Sequence, residues 1–172
     1  MNISFSFAVA ADAPAIAALH NATSAALFKR FGPGHWENTV SERGVVLGIS
    51  TTSKIIIARL YDKIVGTCRL ATKKPWAIDA AYFTPVSHVL YLVDMAVAPH
   101  AQCHGIGRQL IAEALRITAA WPAGAIRLDA YDADAGAGGF YQKCGFIEKG
   151  RVTYRSVPLV YYEYMLQPAT SI

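Results

Sequence analysis

The sequence predicts an α+β fold, in which strands pair mainly as hairpins and one strand–helix–strand unit lies in the middle of the chain. Residues 54–70 contain two β-branched runs around a short turn, and residues 146–166 read as a closing pair of strands. Between these pairs, an apolar run at 89–97 leads through a glycine turn into a helical pattern. Paired strands with separate helices indicate an α+β layer structure.

The first part of the chain is predicted to hold one strand and two helices. Residues 3–9 alternate loosely between apolar and polar and fit an opening strand. Asp12 and Pro14 are typical of a helix start, and an apolar stripe follows them. A segment with glycine and proline then breaks this helix, and a second helix is expected within 41–49.

The remaining elements are assigned from the same patterns. A hairpin is expected at 54–60 and 64–70, followed by an irregular stretch. The later elements are expected in this order: a strand at 89–97, a helix at 108–121, a strand at 125–131, a short helix containing 140–143, and strands at 146–154 and 157–166. A chain of 172 residues fits a single domain spanning 1–172.

The composition is that of a compact globular protein. Hydrophobic residues make up 53% of the chain and charged residues 16%, which excludes a mainly disordered protein. No stretch approaches the roughly 20 consecutive apolar residues that cross a bilayer. The N-terminus lacks the basic start and long apolar run of a secretory signal. We therefore expect a cytoplasmic protein with no membrane partner.

The net charge of +4 suits a polyanionic ligand, although the basic residues are scattered along the chain. No basic run interleaved with aromatic residues is present, so no nucleic-acid partner is expected. Cys68, Cys103 and Cys144 form no Cys-x-x-Cys pair, so neither a disulfide framework nor a zinc site is indicated. Cys103 is adjacent to a predicted helix start, where a thiol can be reactive.

Residues 102–107 read QCHGIG and lie between a predicted strand and a predicted helix. The two glycines let backbone N–H groups approach a ligand, and the helix adds its positive dipole end. This order of elements predicts a site for a phosphate or pyrophosphate. A nucleotide-triphosphate loop is excluded because Arg108 and Gln109 replace its lysine and hydroxyl residue. A dinucleotide fingerprint is excluded because Leu110 replaces its third glycine.

The pattern Gln-x-x-Gly-x-Gly that remains resembles the signature loop of the GNAT superfamily of N-acetyltransferases. Two flanking motifs agree with this resemblance: MAVAP at 95–99 and FYQKCGF at 140–146, in the family's order. The resemblance covers residues 89–146 well, and 54–73 by general pattern. It implies a mixed, mostly antiparallel sheet of six or seven strands with helices on both faces. It also implies acetyl-CoA as the cofactor.

The resemblance further implies roles for residues that match the family's motifs. The backbone N–H of Met95 would polarise the thioester carbonyl, and that of Val97 would pair with the pantetheine arm of CoA. Tyr141 matches a tyrosine whose hydroxyl can protonate the departing thiolate. No metal is required. Cofactor contacts are implied for the following residues: Met95, Ala96, Val97, Gln102, Cys103, His104, Gly105, Ile106, Gly107, Arg108, Asp134 and Lys143. Asp134 stands where the family often has asparagine, so it is also a candidate for binding a substrate amine.

Asp94 is the one charged residue in the apolar run at 89–97, which we expect to be buried on both faces. A carboxylate among apolar neighbours loses its hydration unless it is paired, which makes Asp94 a candidate general base. Two alternatives stay open. Asp94 could form a buried ion pair with an arginine such as Arg69 or Arg127, or it could be exposed through a local bulge.

Four aromatic residues are candidates for an acceptor pocket: Trp36, Trp76, Tyr82 and Tyr91. We assign them to two irregular stretches, because loops often carry specificity and aromatic faces can hold a cationic amine. The alternative is that these side chains only pack beneath long loops.

These features predict an acetyl-CoA-dependent N-acetyltransferase that acts on a primary amine, of a small molecule, by direct transfer in a ternary complex. Two other functions stay open. One is a non-enzymatic acyl-CoA-binding or sensor domain, and the other is an acetyltransferase for protein lysines or an N-terminus. A homodimer is compatible with the sequence.

Overall fold

A computed structural model describes residues 2–49, 52–121 and 123–166 of the chain. The chain divides into two compact units. The first unit contains the residues up to Ala71 together with Val93–Ala114, and the second contains Thr72–Leu92 and the residues from Leu115 onward. The expectation of one domain over 1–172 stays a prediction. No helix in the described ranges is long and apolar enough to cross a membrane.

Within the described ranges, seven strands and four α-helices follow one another. The strands are β1 (Ile3–Phe7), β2 (Ser53–Leu60), β3 (Lys63–Ala71), β4 (Val89–Val97), β5 (Ala125–Tyr131), β6 (Ile147–Tyr154) and β7 (Val157–Met165). The helices are α1 (Ala13–Phe31), α2 (Glu42–Gly48), α3 (Ile106–Ala120) and α4 (Gly138–Lys143). Each lies where the hydrophobic pattern predicts it, with bounds that differ by a few residues.

The strands form a mixed sheet in the order β1-β2-β3-β4-β5-β7-β6. Antiparallel pairing joins β1 to β2, β2 to β3, β5 to β7 and β6 to β7, whereas β4 and β5 are parallel. The parallel pair is the strand–helix–strand unit that the sequence predicts, because a parallel neighbour needs a crossover connection. The α+β class and the seven-stranded mixed sheet are therefore confirmed.

Within the first unit, α1 and α2 pack against β2 over a buried apolar cluster. Its members share almost complete burial: Ala8, Ala13, Ile16, Ala17, Val45, Ile55 and Ile57. A polar clamp holds the segment before α2 to α1, since Asn21 donates to the Val40 carbonyl at 3.0 Å and accepts from the Val40 N–H at 2.9 Å. Ser41 caps α2 by accepting from the Gly44 N–H at 3.1 Å.

Gly66 in β3 determines how closely α3 packs in the same unit. A Cβ atom at this position would lie 2.8 Å from Leu110 Cδ1 and 3.2 Å from Ile106 Cγ2. Both contacts are shorter than an ordinary van der Waals distance, so the absence of a side chain at Gly66 lets the first two turns of α3 approach the strand. The start of α3 is thereby held against β3.

In the second unit, the irregular stretch before β4 is fixed to the sheet. The Tyr161 hydroxyl donates to the Ala77 carbonyl and accepts from the Asp79 N–H at 3.1 Å. Thr84 is bound through its N–H, which donates to Glu163 at 3.3 Å. The guanidinium of Arg127 donates to the Thr84 carbonyl. This stretch is irregular in its backbone but has specific partners on β5 and β7.

The carboxylate of Glu163 is the centre of a buried ion network in the second unit. It is 2% exposed, accepts from Arg127 Nε at 3.0 Å and lies 3.3 Å from Lys149 Nζ. Burial alone raises the pKa of Glu163, but the hydrogen bonds from Thr84 and Arg127 outweigh that effect and leave the pKa below its usual value. The charged form of Glu163 is therefore the one that the fold stabilises.

Candidate active site

Strand β4 is irregular at Asp94, the residue that the sequence singles out. The φ angle of Asp94 is 52°, in the left-handed region that aspartate tolerates better than most residues. One such residue breaks the alternation of the strand, so the side chain leaves the apolar layer and is 57% exposed. The expectation that Asp94 is buried is therefore wrong, for this backbone reason.

The carboxylate of Asp94 pairs with Arg69 on the neighbouring strand β3. Both contacts reach Asp94 Oδ2, from Arg69 Nε at 2.8 Å and from Nη2 at 2.6 Å. The sequence leaves an arginine partner and local exposure open as separate alternatives. The structure combines them, because the pair with Arg69 is exposed and not buried. A half-exposed pair of this kind adds little to stability, so its charges are available for another role.

A pocket with a volume of about 340 Å³ lies in the first unit and includes this ion pair. Four polar side chains line it: His20 from α1, Thr67 and Arg69 from β3, and Asp94 from β4. The rest of its wall consists of apolar side chains and glycines: Ile16, Val40, Gly44, Val45, Leu47, Gly48 and Ile55. A few polar groups in a mainly apolar cavity are typical of small-molecule sites.

The hydroxyl of Thr67 is buried in this pocket without a hydrogen-bond partner among the described residues. Thr67 is 1% exposed, so its hydroxyl has lost its water as well. An unsatisfied buried hydroxyl costs about 1–3 kcal/mol, which a bound ligand with a polar atom at this position would recover. The pocket lining thus contains one unsatisfied polar group.

His20 is the site residue that sequence reasoning missed. Burial lowers the pKa of His20; the nearby Asp94 opposes this shift and Arg69 adds to it. The imidazole is therefore neutral at pH 7 and can accept a proton. The available signal was its spacing from Ile16, four residues earlier on the same face of α1, because this face is otherwise apolar and turns toward the core.

The loop at 102–107 is built as an anion site in the same unit. Gln102 Nε2 donates to the Val97 carbonyl at 3.0 Å, which ties the loop to the end of β4. Gly105 has φ 80°, and a Cβ added there would meet no atom within 4 Å. The first helical hydrogen bond runs from the Gln109 N–H to the Gly105 carbonyl at 3.1 Å, so the amides before it lack a carbonyl one turn back.

The remaining loop residues fit the same role. Gln102, Cys103, His104 and Arg108 are exposed, whereas Ile106 is buried and anchors the helix start. Cys103 has a left-handed φ of 63°, and His104 Nδ1 lies 2.6 Å from the Gln102 carbonyl. Helix N-terminal amides with no carbonyl one turn back suit a pyrophosphate. The donor set is therefore chemically compatible with the phosphate groups of CoA.

The predicted residues of the second unit occupy α4 and the turn before it. Tyr141 is buried in α4, with its ring 5.8 Å from that of Phe146 and 6.1 Å from that of Tyr162. Asp134 is exposed in the turn, and Lys143 is exposed at the end of α4. The motif FYQKCGF thus forms a short helix with a packed tyrosine, as its sequence predicts.

The four aromatic candidates do not line the pocket of the first unit. Tyr91 lies in β4 and is 6% exposed, so its assignment to an irregular stretch is wrong. Tyr82 packs edge-on against Tyr161 at 5.4 Å, and Trp36 contacts Phe31 at 6.2 Å. Trp76 is 81% exposed. For Tyr82 and Trp36, the alternative of packing beneath a loop agrees with these contacts.

Comparison with known proteins adds independent findings. The family model described as the acetyltransferase (GNAT) family matches residues 16–146 of this chain. No curated protein gives a significant match.

Solved structures with similar folds are found in several organisms. An N-acetyltransferase from Staphylococcus aureus Mu50 has a TM-score of 0.73 and 17% identity, with 97% of this chain and 100% of that chain covered. The ribosomal-protein-alanine N-acetyltransferase from Brucella melitensis has a TM-score of 0.74 and 20% identity, with 95% and 99% covered. The PaiA N-acetyltransferase from Thermoplasma acidophilum, in complex with coenzyme A, has a TM-score of 0.74 and 15% identity, with 95% and 100% covered. At these identities the likeness concerns the fold.

Proposed function

We propose that this chain acetylates the primary amine of a small molecule. The chain belongs to the GNAT family of acetyltransferases and is an N-acetyltransferase that uses acetyl-CoA. The transfer is direct, in a ternary complex of enzyme, acetyl-CoA and amine. The single observation that supports the acceptor class is the pocket of the first unit, which is mainly apolar and carries His20, Thr67 and the Asp94–Arg69 pair.

Acetyl-CoA supplies the activated acetyl group, and the first unit carries the groups suited to holding it. The amides of the loop at 102–107 and of the first turn of α3 bind the pyrophosphate, with Arg108 nearby in sequence as a cation. The backbone N–H of Met95 orients the thioester carbonyl, and that of Val97 binds the pantetheine arm. Gln102 keeps the two parts together, because it bridges the loop to Val97.

The acceptor amine binds with its charged end at Asp94. A primary ammonium needs an anionic partner, and Asp94 is the one acidic side chain in the pocket lining. The apolar wall formed by Ile16, Val45 and Leu47 suits an acceptor with an apolar body. The unpaired Thr67 hydroxyl gives one further hydrogen bond to the bound molecule.

Tyr141 donates the proton that the departing thiolate takes. This role rests on the match of FYQKCGF to the family's motif. Burial of Tyr141 against Phe146 and Tyr162 supports it, because a packed ring presents its hydroxyl in one orientation. Asp134 and Lys143 remain proposed cofactor contacts from the same resemblance.

An acceptor screen tests the proposed function. Release of free thiol from acetyl-CoA is measured with small primary amines that have apolar bodies, and with peptides that have a free N-terminus or a lysine. Turnover of small amines at lower KM than any peptide is expected. Preferential turnover of peptides would contradict the small-molecule acceptor and favour the alternative, an acetyltransferase for proteins.

A substitution in the pocket separates acceptor binding from cofactor binding. Asp94→Asn keeps the shape of the side chain and removes its charge, so the KM for the amine should rise by about 10-fold or more, which corresponds to about 1.4 kcal/mol. The dissociation constant of acetyl-CoA, measured by calorimetry, should not change. Asp62→Asn in the exposed turn between β2 and β3 is the matched control. An unchanged KM in a folded Asp94→Asn variant would remove Asp94 from the acceptor site.

A further inference from the structure

We propose that His20 is the general base of the reaction and that it takes a proton from the acceptor amine. Asp94, which is paired with Arg69, binds the amine in the same pocket. This inference rests on the proposed function, because it concerns the same acceptor pocket. It assigns a chemical role to a residue of α1 that lies outside the motifs matched by the sequence.

The geometry of the pocket supports His20 first. Its imidazole lines the cavity on the α1 side, and Asp94 and Arg69 line the same cavity from β4 and β3. An amine held by Asp94 therefore lies in a cavity that His20 also faces. No hydrogen bond to the imidazole of His20 is found among the residues that the structure describes, so a ring nitrogen is available to a ligand.

Asp94 is less suited to be the base. Its Oδ2 already accepts from two nitrogens of Arg69, and its side chain is largely exposed. In this proposal the carboxylate binds the ammonium group, whereas no hydrogen bond to His20 is found among the described residues. We therefore assign the two residues different tasks: Asp94 positions the amine, and His20 receives its proton.

The protonation state of His20 supports the same assignment. Burial lowers its pKa from the usual value of 6.5, and the two charged groups that face it act in opposite directions, Asp94 raising the pKa and Arg69 lowering it. The pocket residues contributed by α2 and β2 carry no charge: Gly44, Val45, Leu47, Gly48 and Ile55. A neutral imidazole at pH 7 can take up the proton that the nitrogen loses during attack on the thioester, because bond formation to the acetyl carbon makes that nitrogen strongly acidic.

The step is balanced as follows. The bound ammonium loses one proton to water, and the neutral amine nitrogen forms a bond to the acetyl carbon while the carbon–sulfur bond breaks. The nitrogen gives its second proton to the His20 imidazole, and the thiolate gains one from Tyr141, whose hydroxyl is restored from solvent. His20 then releases its proton to water, so the net products are the amide, CoA thiol and one proton.

A pair of variants tests His20 as the base. His20→Gln keeps a polar side chain of similar size but cannot take up the proton, so kcat should fall by about 10²-fold or more with unchanged affinity for acetyl-CoA. In the wild type, kcat should increase with pH in a range below pH 6.5, because the pKa of His20 is lowered. This increase should be absent in His20→Gln. His20→Ala opens space in the pocket, and added imidazole should restore part of its activity.

The controls make each outcome decisive. His88→Gln removes an exposed histidine outside the pocket and should keep the wild-type kcat and pH profile. A wild-type kcat in His20→Gln would overturn the inference. So would a reduced kcat that keeps its pH limb and is not rescued by imidazole, because that pattern indicates a packing role. If the wild type binds acetyl-CoA but acetylates no amine, the proposed function itself fails and the base assignment fails with it.

Discussion

The left-handed conformation of Asp94 determines what strand β4 contributes to the pocket. With regular strand geometry this carboxylate would lie among apolar side chains, as its sequence context suggests. At φ 52° it instead meets Arg69 and remains exposed, so its charge can be used for binding. His20 is the complementary residue, because it is more enclosed and keeps a neutral ring. At the residue scale, our proposal assigns charge binding to Asp94 and proton transfer to His20.

Tyr141 gives a second test at the residue scale. Tyr141→Phe removes only the hydroxyl and keeps the ring that packs against Phe146 and Tyr162. We expect kcat to fall by about 10²-fold while the thermal midpoint and acetyl-CoA affinity stay near those of the wild type. Tyr61→Phe in an exposed turn is the matched control. Equal turnover by Tyr141→Phe and the wild type would show that another group protonates the thiolate.

At the scale of elements, the cofactor loop depends on how β3, β4 and α3 fit together. Gly66 lets the first turns of α3 approach β3, and Gln102 ties the loop to the end of β4. The helix start is thus fixed before any ligand binds, so the loop loses little conformational entropy when a ligand binds. The residues of the loop motif are close in sequence because the loop and the start of α3 are consecutive in the chain.

Gly107→Asp tests the loop. An aspartate in the first turn of α3 adds bulk and a negative charge near the pyrophosphate, so acetyl-CoA affinity should fall by at least about 10-fold in calorimetry. Ala112→Asp adds the same charge on an exposed face later in α3 and should have little effect. Similar affinities for the two variants would argue against an anion site at the helix start.

On the scale of the whole molecule, each unit has its own stabilising device. The first unit has the apolar cluster beneath α1 and α2, which also forms part of the pocket wall. The second has the buried network around Glu163, which joins β5, β6 and β7 to the irregular stretch through Thr84. In the first unit, the apolar cluster also forms part of the pocket wall. In the second unit, the Glu163 network also fixes the irregular stretch that precedes β4.

Removing Arg127 tests the network of the second unit. Arg127→Ala leaves Glu163 buried with Lys149 as its remaining cationic partner, so the free energy of unfolding should decrease by about 3 kcal/mol in denaturant titrations. Arg151→Ala, which breaks an exposed pair with Asp132, should change it much less. Comparable losses in both variants would contradict the buried network.

The pH dependence of stability has a defined sign for this network. Glu163 has a lowered pKa in the folded chain, so its stabilising contribution is present above the usual value of 4.5 and is lost as pH falls through the lowered value. This acid-dependent loss should be smaller in Arg127→Ala, because the variant lacks one of the groups that lower the pKa. Unfolding curves recorded across this acid range measure the difference.

The sequence by itself determined the elements and the position of the loop that we propose for the cofactor. Hydrophobic periodicity predicts the strands and helices, and residues 102–107 are contiguous, so their glycines and the helix start they precede are visible in one short window. The proposed role of Tyr141 in α4 comes from the family resemblance of an equally local motif. Local patterns are readable wherever the candidate groups are neighbours along the chain.

Only the tertiary structure decided the acceptor pocket. Its polar groups, His20, Thr67, Arg69 and Asp94, come from three elements that are distant in sequence, and no local pattern links them. Sequence also could not show the left-handed backbone at Asp94, because it depends on neighbours that only folding provides. The chemistry of a side chain is set by its burial and its charged neighbours, and these are properties of the folded chain.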